Sequence, residues 1–159
     1  MPLPPYIDHP DSADDRNRYQ TVYAAHAGSV AAPTAGLHFT PEVLNACRAA
    51  GADIARVTLH VGLGTFQPLQ SDVVEQVKLH HERYFVANSE AQRIRDAQRV
   101  IAIGTTSVRT VETLAESNWE QLAGCTDIFL YPGHRFRRID GLLTNFHLPQ
   151  SSLLMLVCA

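Results

Sequence analysis

Val57-Thr-Leu-His-Val-Gly-Leu-Gly-Thr-Phe66 is the stretch from which the chain is best read. Ala55, Val57, Leu59 and Val61 alternate with Arg56, Thr58 and His60. A period of two puts the apolar side chains on one face of a strand and the polar ones on the other. Gly62 and Gly64 then remove side chains where the strand ends. Glycine there permits positive φ or lets another group approach the backbone closely. His60 thus sits on the polar face of a strand, beside bare backbone. Two readings fit this stretch: a ligand site, and a strand end with a bulge and a hydrogen-bonded histidine.

Upstream lies Gly28-Ser-Val-Ala-Ala-Pro-Thr-Ala-Gly-Leu-His-Phe39, rich in small residues and without a period of 2 or 3.6. A buried or ligand-facing loop needs such side chains; a plain surface loop is more often charged. Thr40-Pro41-Glu42 predicts a helix start, with a capping hydroxyl, a proline in the first turn and an acid against the dipole. Val43, Leu44, Cys47 and Ala50 follow at helical spacing and Gly51 ends the helix, so Cys47 is expected in the core.

Downstream, Asp72–Val77 is short and ambiguous, and Leu79–Val86 reads as a strand with a charged start. His80 and His81 are adjacent on it and point to opposite faces, which argues against a shared metal. Ser89-Glu-Ala-Gln92 matches a capping box, opening a polar surface helix to about Gln98. Val100–Ile103 is a continuous apolar strand of the kind found inside parallel sheets. Gly104-Thr-Thr-Ser-Val-Arg109 follows at once, and Val108, Val111 and Leu114 continue as a helix. Such a turn offers free N–H groups and a positive dipole end to an anion. It lacks the lysine of a phosphate loop and the three glycines of a dinucleotide fingerprint, and an ordinary helix cap is the plain alternative.

Asp127–Tyr131 reads as a third buried strand and Pro132-Gly133 as a turn. His134, Arg135, Arg137 and Arg138 form the densest basic cluster, suited to phosphate or to a solvated turn. Ser151 or Ser152 caps the apolar segment Leu153–Val157. Strands interleaved with helices predict an α/β fold, a largely parallel or mixed sheet flanked by helices. Residues 1–18, proline-dense and then polar, read as a linker or domain remnant. Residues 19–159 read as an α/β catalytic-type domain cut short at its C-terminal end, because the last apolar segment has no polar face.

The 159 residues are 45% hydrophobic and 18% charged, enough for one domain with a real core. A net charge of −3 does not point to a nucleic-acid binder, although a local basic patch is compatible with it. Cys47, Cys125 and Cys158 are far apart and odd in number, which argues against a disulfide framework or a metal site and for a reducing cytoplasm. No apolar run approaches the ~20 residues that span a bilayer, and no basic-then-apolar leader is present.

Five segments together resemble one family: GSVAAPTAGLHFT (28–40), LHVGLGTF (59–66), GTTSVRTVE (104–112), TDIFLYPG (126–133) and LTNFHLPQSSLLMLV (143–157). They look like the S-adenosylmethionine:tRNA ribosyltransferase-isomerases of queuosine synthesis, over nearly the whole chain. The family's members are longer and include a β-barrel domain, so the resemblance implies a fragment lacking that domain and the C-terminal end. It implies transfer and isomerisation of the ribosyl part of S-adenosylmethionine onto 7-aminomethyl-7-deazaguanine in the tRNA wobble position. Epoxyqueuosine forms, and adenine and methionine leave. S-adenosylmethionine is the donor substrate; no cofactor, metal or membrane is implied, and the full-length protein is expected to be a monomer.

The sulfonium acidifies the ribose 5′-carbon, so a general base is needed. His60, His80 and Glu82 match family motifs and are the catalytic candidates; His81 and Arg83 depart from the family's usual Ser and Tyr. By the same resemblance, Pro33, Thr34, Gly36, His38, Gly62, Gly64, Thr65, Gly104, Thr105, Thr106, Ser107, Arg109, Asn145 and His147 are the substrate-binding candidates. His38 or His147 would protonate departing adenine, and Arg109 with the Gly104 turn would hold the methionine carboxylate. Arg135, Arg137 and Arg138 would contact tRNA phosphate. Two alternatives stand beside this. One is a different S-adenosylmethionine or nucleotide transferase, for which the glycine-rich turn and acidic ribose contact are missing. The other is a truncated, non-catalytic remnant that binds tRNA or S-adenosylmethionine without turnover.

Overall fold

The structure, a computed structural model, describes residues 12, 15, 18–62, 71, 73–145 and 151–159. Its helices are α1 (Pro41–Ala49), α2 (Asn88–Asp96), α3 (Thr105–Glu116) and α4 (Ser152–Val157). Its strands are β1 (Thr58–His60), β2 (Glu82–Phe85), β3 (Ile101–Ile103), β4 (Ala123–Thr126) and β5 (Gly141–Leu143). Short 3-10 segments run over Thr34–His38 and Val74–Gln76.

Strands β1, β2 and β4 form an antiparallel sheet in that order, with Leu59 opposite Tyr84 and Arg83 opposite Cys125. Strands β3 and β5 pair in parallel, Ala102 opposite Leu142. The fold is therefore the mixed form of the expected α/β class, and parallel pairing among the described residues is confined to β3 and β5.

Helix α3 joins the two sheets. Leu114 packs with Leu59, Val61, Tyr84, Val86 and Ala91 on the antiparallel side. Val108 packs with Ala102, Leu130 and Leu156 on the other. Seven of the helix's twelve residues are buried, among them Arg109, Thr110 and Glu112. Its threonines satisfy their own hydroxyls: Thr110 Oγ1 donates to the Thr106 carbonyl and Thr113 Oγ1 to that of Arg109.

Several local expectations hold. Thr40 Oγ1 accepts the Val43 N–H and caps α1, and Gly51 follows the helix at φ +91°. Ser151, rather than Ser152, caps α4 by accepting the Leu154 N–H.

Others are corrected. Of residues 54–61 only Thr58–His60 is laddered, because the partner β2 is four residues long; the Arg56 N–H goes instead to Glu90 Oε2. The Ser89–Gln92 capping box does not form: α2 begins at Asn88, its N-cap is Ala87, and no side chain caps it. Asp127–Tyr131 is not a strand. The ladder runs through the less apolar Ala123–Thr126, after which Thr126 Oγ1 accepts the Ile128 N–H and turns the chain out of it. Cys47 is half-buried rather than in the core, since α1 buries no residue. Ile101, read as interior to a sheet, is 47% exposed, because β3 has a partner on one side only among the described residues.

Truncating fully buried Leu114 to Ala is expected to cost about 2–5 kcal/mol. Thr40→Ala, on a helix with no buried residue, is expected to cost about 1 kcal/mol. Urea unfolding of both variants checks this ranking, and an equal loss at Thr40 would contradict it.

Candidate functional site

His60 closes β1 opposite Arg83. Directly opposed residues share a face, so its ring lies on the side of Arg83 and away from the buried row of Leu59, Val61, Glu82 and Tyr84. The Gly28–Ala31 loop is fastened to this strand end: Ser29 Oγ accepts the Val61 N–H at 3.1 Å and the Val30 N–H donates to the Val61 carbonyl at 3.0 Å. Gly28, at φ +139°, lies against the imidazole, and a Cβ there would stand 2.8 Å from Nδ1 and 2.9 Å from Cε1. Glycine is thus demanded both by the backbone and by the ring. His60 Nδ1 is buried and meets no hydrogen-bond partner among the described residues.

Glu82 and Arg109 form a buried ion pair on the other face, 2% and 3% exposed. Arg109 Nη1 donates to Glu82 Oε2 at 2.5 Å, and the Gly62 N–H donates to Oε1 at 2.8 Å. Arg109 Nε points at the Ile128 carbonyl, 3.4 Å away, and Nη2 is buried without a hydrogen-bond partner among the described residues. Glu82 therefore binds the end of β1 to α3, and the register places it on the opposite side of the sheet from His60. His80 is exposed in the extended stretch before β2.

The Gly104 turn meets two other motifs. Gly104 has φ +84°, and its N–H donates to the Leu143 carbonyl at 2.8 Å. Ala35 Cβ lies 3.8 Å from where a Gly104 Cβ would stand. Ser107 Oγ donates to the Ile103 carbonyl, Thr105 is buried, and Thr106 is half-buried. Pro33 leads into the 3-10 segment that begins at Thr34. Gly36 within it faces the Tyr23 hydroxyl and the Thr21 methyl, so packing alone explains that glycine; burial raises the pKa of Tyr23 above its ordinary value. His38 Nε2 lies 3.2 Å from Asn145 Oδ1. The segments around Ala35–His38, Gly104 and Leu143–Asn145 are thereby brought together. Gly64, Thr65 and His147 lie outside the described residues.

The basic cluster divides. Arg138 Nε donates to the Ile94 carbonyl, Nη2 to that of Ala97, and Nη1 pairs with Asp140 at 3.5 Å, so its guanidinium is engaged within the fold. Arg135 and Arg137 are exposed. Glu112, which the sequence reading passed over, is fully buried and accepts the backbone N–H groups of Arg137, Arg138 and Ile139 at 2.8–3.0 Å. Its signal was available: a carboxylate four residues after Val108 and next to Val111 falls on the apolar stripe of the helix. No group of three or more His, Cys, Asp or Glu among the described residues is placed to hold a metal ion. No described helix is long and apolar enough to cross a membrane.

The sequence model of a family described as "Queuosine biosynthesis protein" matches residues 1–159. The chain belongs to this family. A protein of Solibacter usitatus named S-adenosylmethionine:tRNA ribosyltransferase-isomerase is 65% identical over all 159 residues, which span 45% of its length. One of the same name from Caldanaerobacter subterraneus is 52% identical, with 48% of its length covered. The crystal structure of an S-adenosylmethionine tRNA ribosyltransferase from Thermotoga maritima superposes with a TM-score of 0.59 at 40% identity, over 77% of this chain and 39% of that one. The chain thus spans a little under half the length of the curated relatives it matches.

Within this family domain the Glu82–Arg109 pair is testable by itself. Arg109→Met leaves a buried carboxylate without its cation and is expected to cost about 3–5 kcal/mol. Adding Glu82→Gln should restore part of that loss. Urea unfolding of both single variants and the double variant reads the coupling, and strictly additive losses would show that the pair is not a unit.

Proposed function

We propose that residues 19–159 carry a catalytic-type domain of an S-adenosylmethionine:tRNA ribosyltransferase-isomerase. The reaction moves the ribosyl part of S-adenosylmethionine onto the aminomethyl group of 7-aminomethyl-7-deazaguanine in the wobble position of a tRNA. Epoxyqueuosine forms, and adenine and methionine leave. The observation that carries this reading is 65% identity, over the whole chain, to a relative of that name. The donor is consumed as substrate, so the proposal invokes neither cofactor nor metal. The protein would work in the cytoplasm, where tRNA is modified, and as a monomer at full length.

The geometry favours His60 as the base that takes the proton from the ribose 5′-carbon. Its ring is held by Gly28, and its buried Nδ1 meets no hydrogen-bond partner among the described residues. Imidazole exchanges protons near neutral pH. Glu82 is already engaged by Arg109 and Gly62, which favours a positioning role for it and leaves His80 as the other candidate. The Thr105 and Thr106 amides of the Gly104 turn would receive the methionine carboxylate; the Gly104 and Ser107 N–H groups already donate to the Leu143 and Gly104 carbonyls. Arg109 would assist through Nη2, its guanidinium nitrogen with no hydrogen-bond partner among the described residues. His38, oriented by Asn145, would protonate departing adenine, in competition with His147.

Adenine release from S-adenosylmethionine, with tRNA carrying 7-aminomethyl-7-deazaguanine, tests this on the chain and its His60→Ala variant. The full-length Solibacter relative serves as the reference. The expected loss in the variant is about 10²–10⁴-fold, with unfolding unchanged. Turnover near the parent's would remove His60 from the mechanism. If the reference releases adenine and this chain does not, the turnover proposal fails for the chain alone, and binding of tRNA or S-adenosylmethionine without turnover replaces it.

A further inference from the structure

We propose that Glu112 is a positioning residue that presents Arg135 and Arg137 to the phosphate backbone of an RNA. This rests on the tRNA reading above and deepens it.

A fully buried carboxylate on α3 accepts three consecutive backbone N–H groups from an otherwise surface loop: those of Arg137, Arg138 and Ile139. His134 Nε2 lies 3.5 Å from the same carboxylate, and the His134 ring packs edge-on against Phe136, centroids 5.0 Å apart. Arg138 pins the far side of the loop to the carbonyls at the end of α2 and to Asp140. Every anchor of the loop thus lies at its flanks or in its backbone. No hydrogen bond or ion pair engages the guanidinium groups of Arg135 or Arg137 among the described residues, and both are exposed.

A solvated turn would not need a buried carboxylate as a template. Sequestering one is costly unless its lone pairs are satisfied, and here they are satisfied by backbone, which fixes the path of the loop rather than one side chain. The result is a backbone-anchored loop offering two cations that are unpaired among the described residues. Arginine's planar fork matches phosphate oxygens. Two exposed arginines with backbone-fixed spacing suit the regular charges of a nucleic-acid strand better than a single carboxylate.

The test measures tRNA affinity against salt concentration for the parent, Glu112→Gln, Arg135→Ala/Arg137→Ala and the triple variant. The loop double variant should lower the slope of log affinity on log salt by roughly 1 for each lost phosphate contact. Glu112→Gln should weaken tRNA binding about tenfold, and more than it weakens binding of S-adenosylmethionine. In the Arg135→Ala/Arg137→Ala background the same substitution should add less than about twofold, because its effect passes through the arginines. If Glu112→Gln does not fold, Glu112→Asp keeps the charge and shortens the reach by one methylene, and the same comparison applies. A Glu112 effect that persists in full without the arginines overturns the proposal, as does a folded Glu112 variant with parental tRNA affinity. A salt slope unmoved by the loop variant overturns the loop assignment and leaves the family reading standing. A parent that binds no tRNA overturns both.

Discussion

The buried ion pair between Glu82 and Arg109 is the constraint on which the rest of the site depends. Taking two charges out of water costs several kcal/mol per ion, and their attraction repays this only with good geometry and further hydrogen bonds. Here Oε1 accepts the Gly62 N–H, Oε2 accepts Arg109, and the Arg109 Nε faces the Ile128 carbonyl. One carboxylate thereby fastens the end of β1, the start of β2 and the second turn of α3. Gly62, just after β1, has no side chain to pack, and the Glu82 carboxylate holds its backbone N–H instead.

Helix α3 carries a second buried charge one turn later. Arg109 and Glu112 stand three residues apart, close enough on a helix to interact with each other. Instead each reaches a different body: Arg109 the antiparallel sheet, Glu112 the loop before β5. The helix is buried on nearly all sides, and its polar groups are settled one by one, threonines by their own backbone and charges by distant partners. That division explains how a helix so deeply placed can carry so many polar side chains without a run of orphaned donors.

What the sequence made legible was local. The cap at Thr40, the alternation around Leu59, the glycine before α3 and the serine before α4 are all decided within a few residues, and all appear in the structure. What it concealed was pairing. Ala-Gly-Cys-Thr has no apolar alternation, so β4 was read onto the more hydrophobic Asp127–Tyr131, whose Leu130 is buried by tertiary packing and not by a ladder. The candidate residues of the site followed the same rule. His60 and Glu82 both stand out by type and motif. Only the register Leu59–Tyr84, His60–Arg83 separates them onto two faces of one sheet, and register depends on a partner strand more than twenty residues away.

The same reasoning says why the polar contacts, rather than the core, set the geometry at Gly104. Apolar side chains around Leu114 and Val108 bury area without direction, and cores of about the right volume tolerate small slips. Hydrogen bonds do not, because they weaken steeply as angle and distance depart from the optimum. Arg109 reaches one side of α3 and Glu112 another, so a rotation of the helix that relieved one contact would stretch the other. Both lie within two turns of the Gly104–Ser107 amides, and the Gly104 N–H is itself tied to Leu143. A turn whose use depends on where its amides point is therefore held by three directional contacts on different bodies of the fold, while the apolar residues of the same helix supply stability that any close homologue of their volumes would also supply.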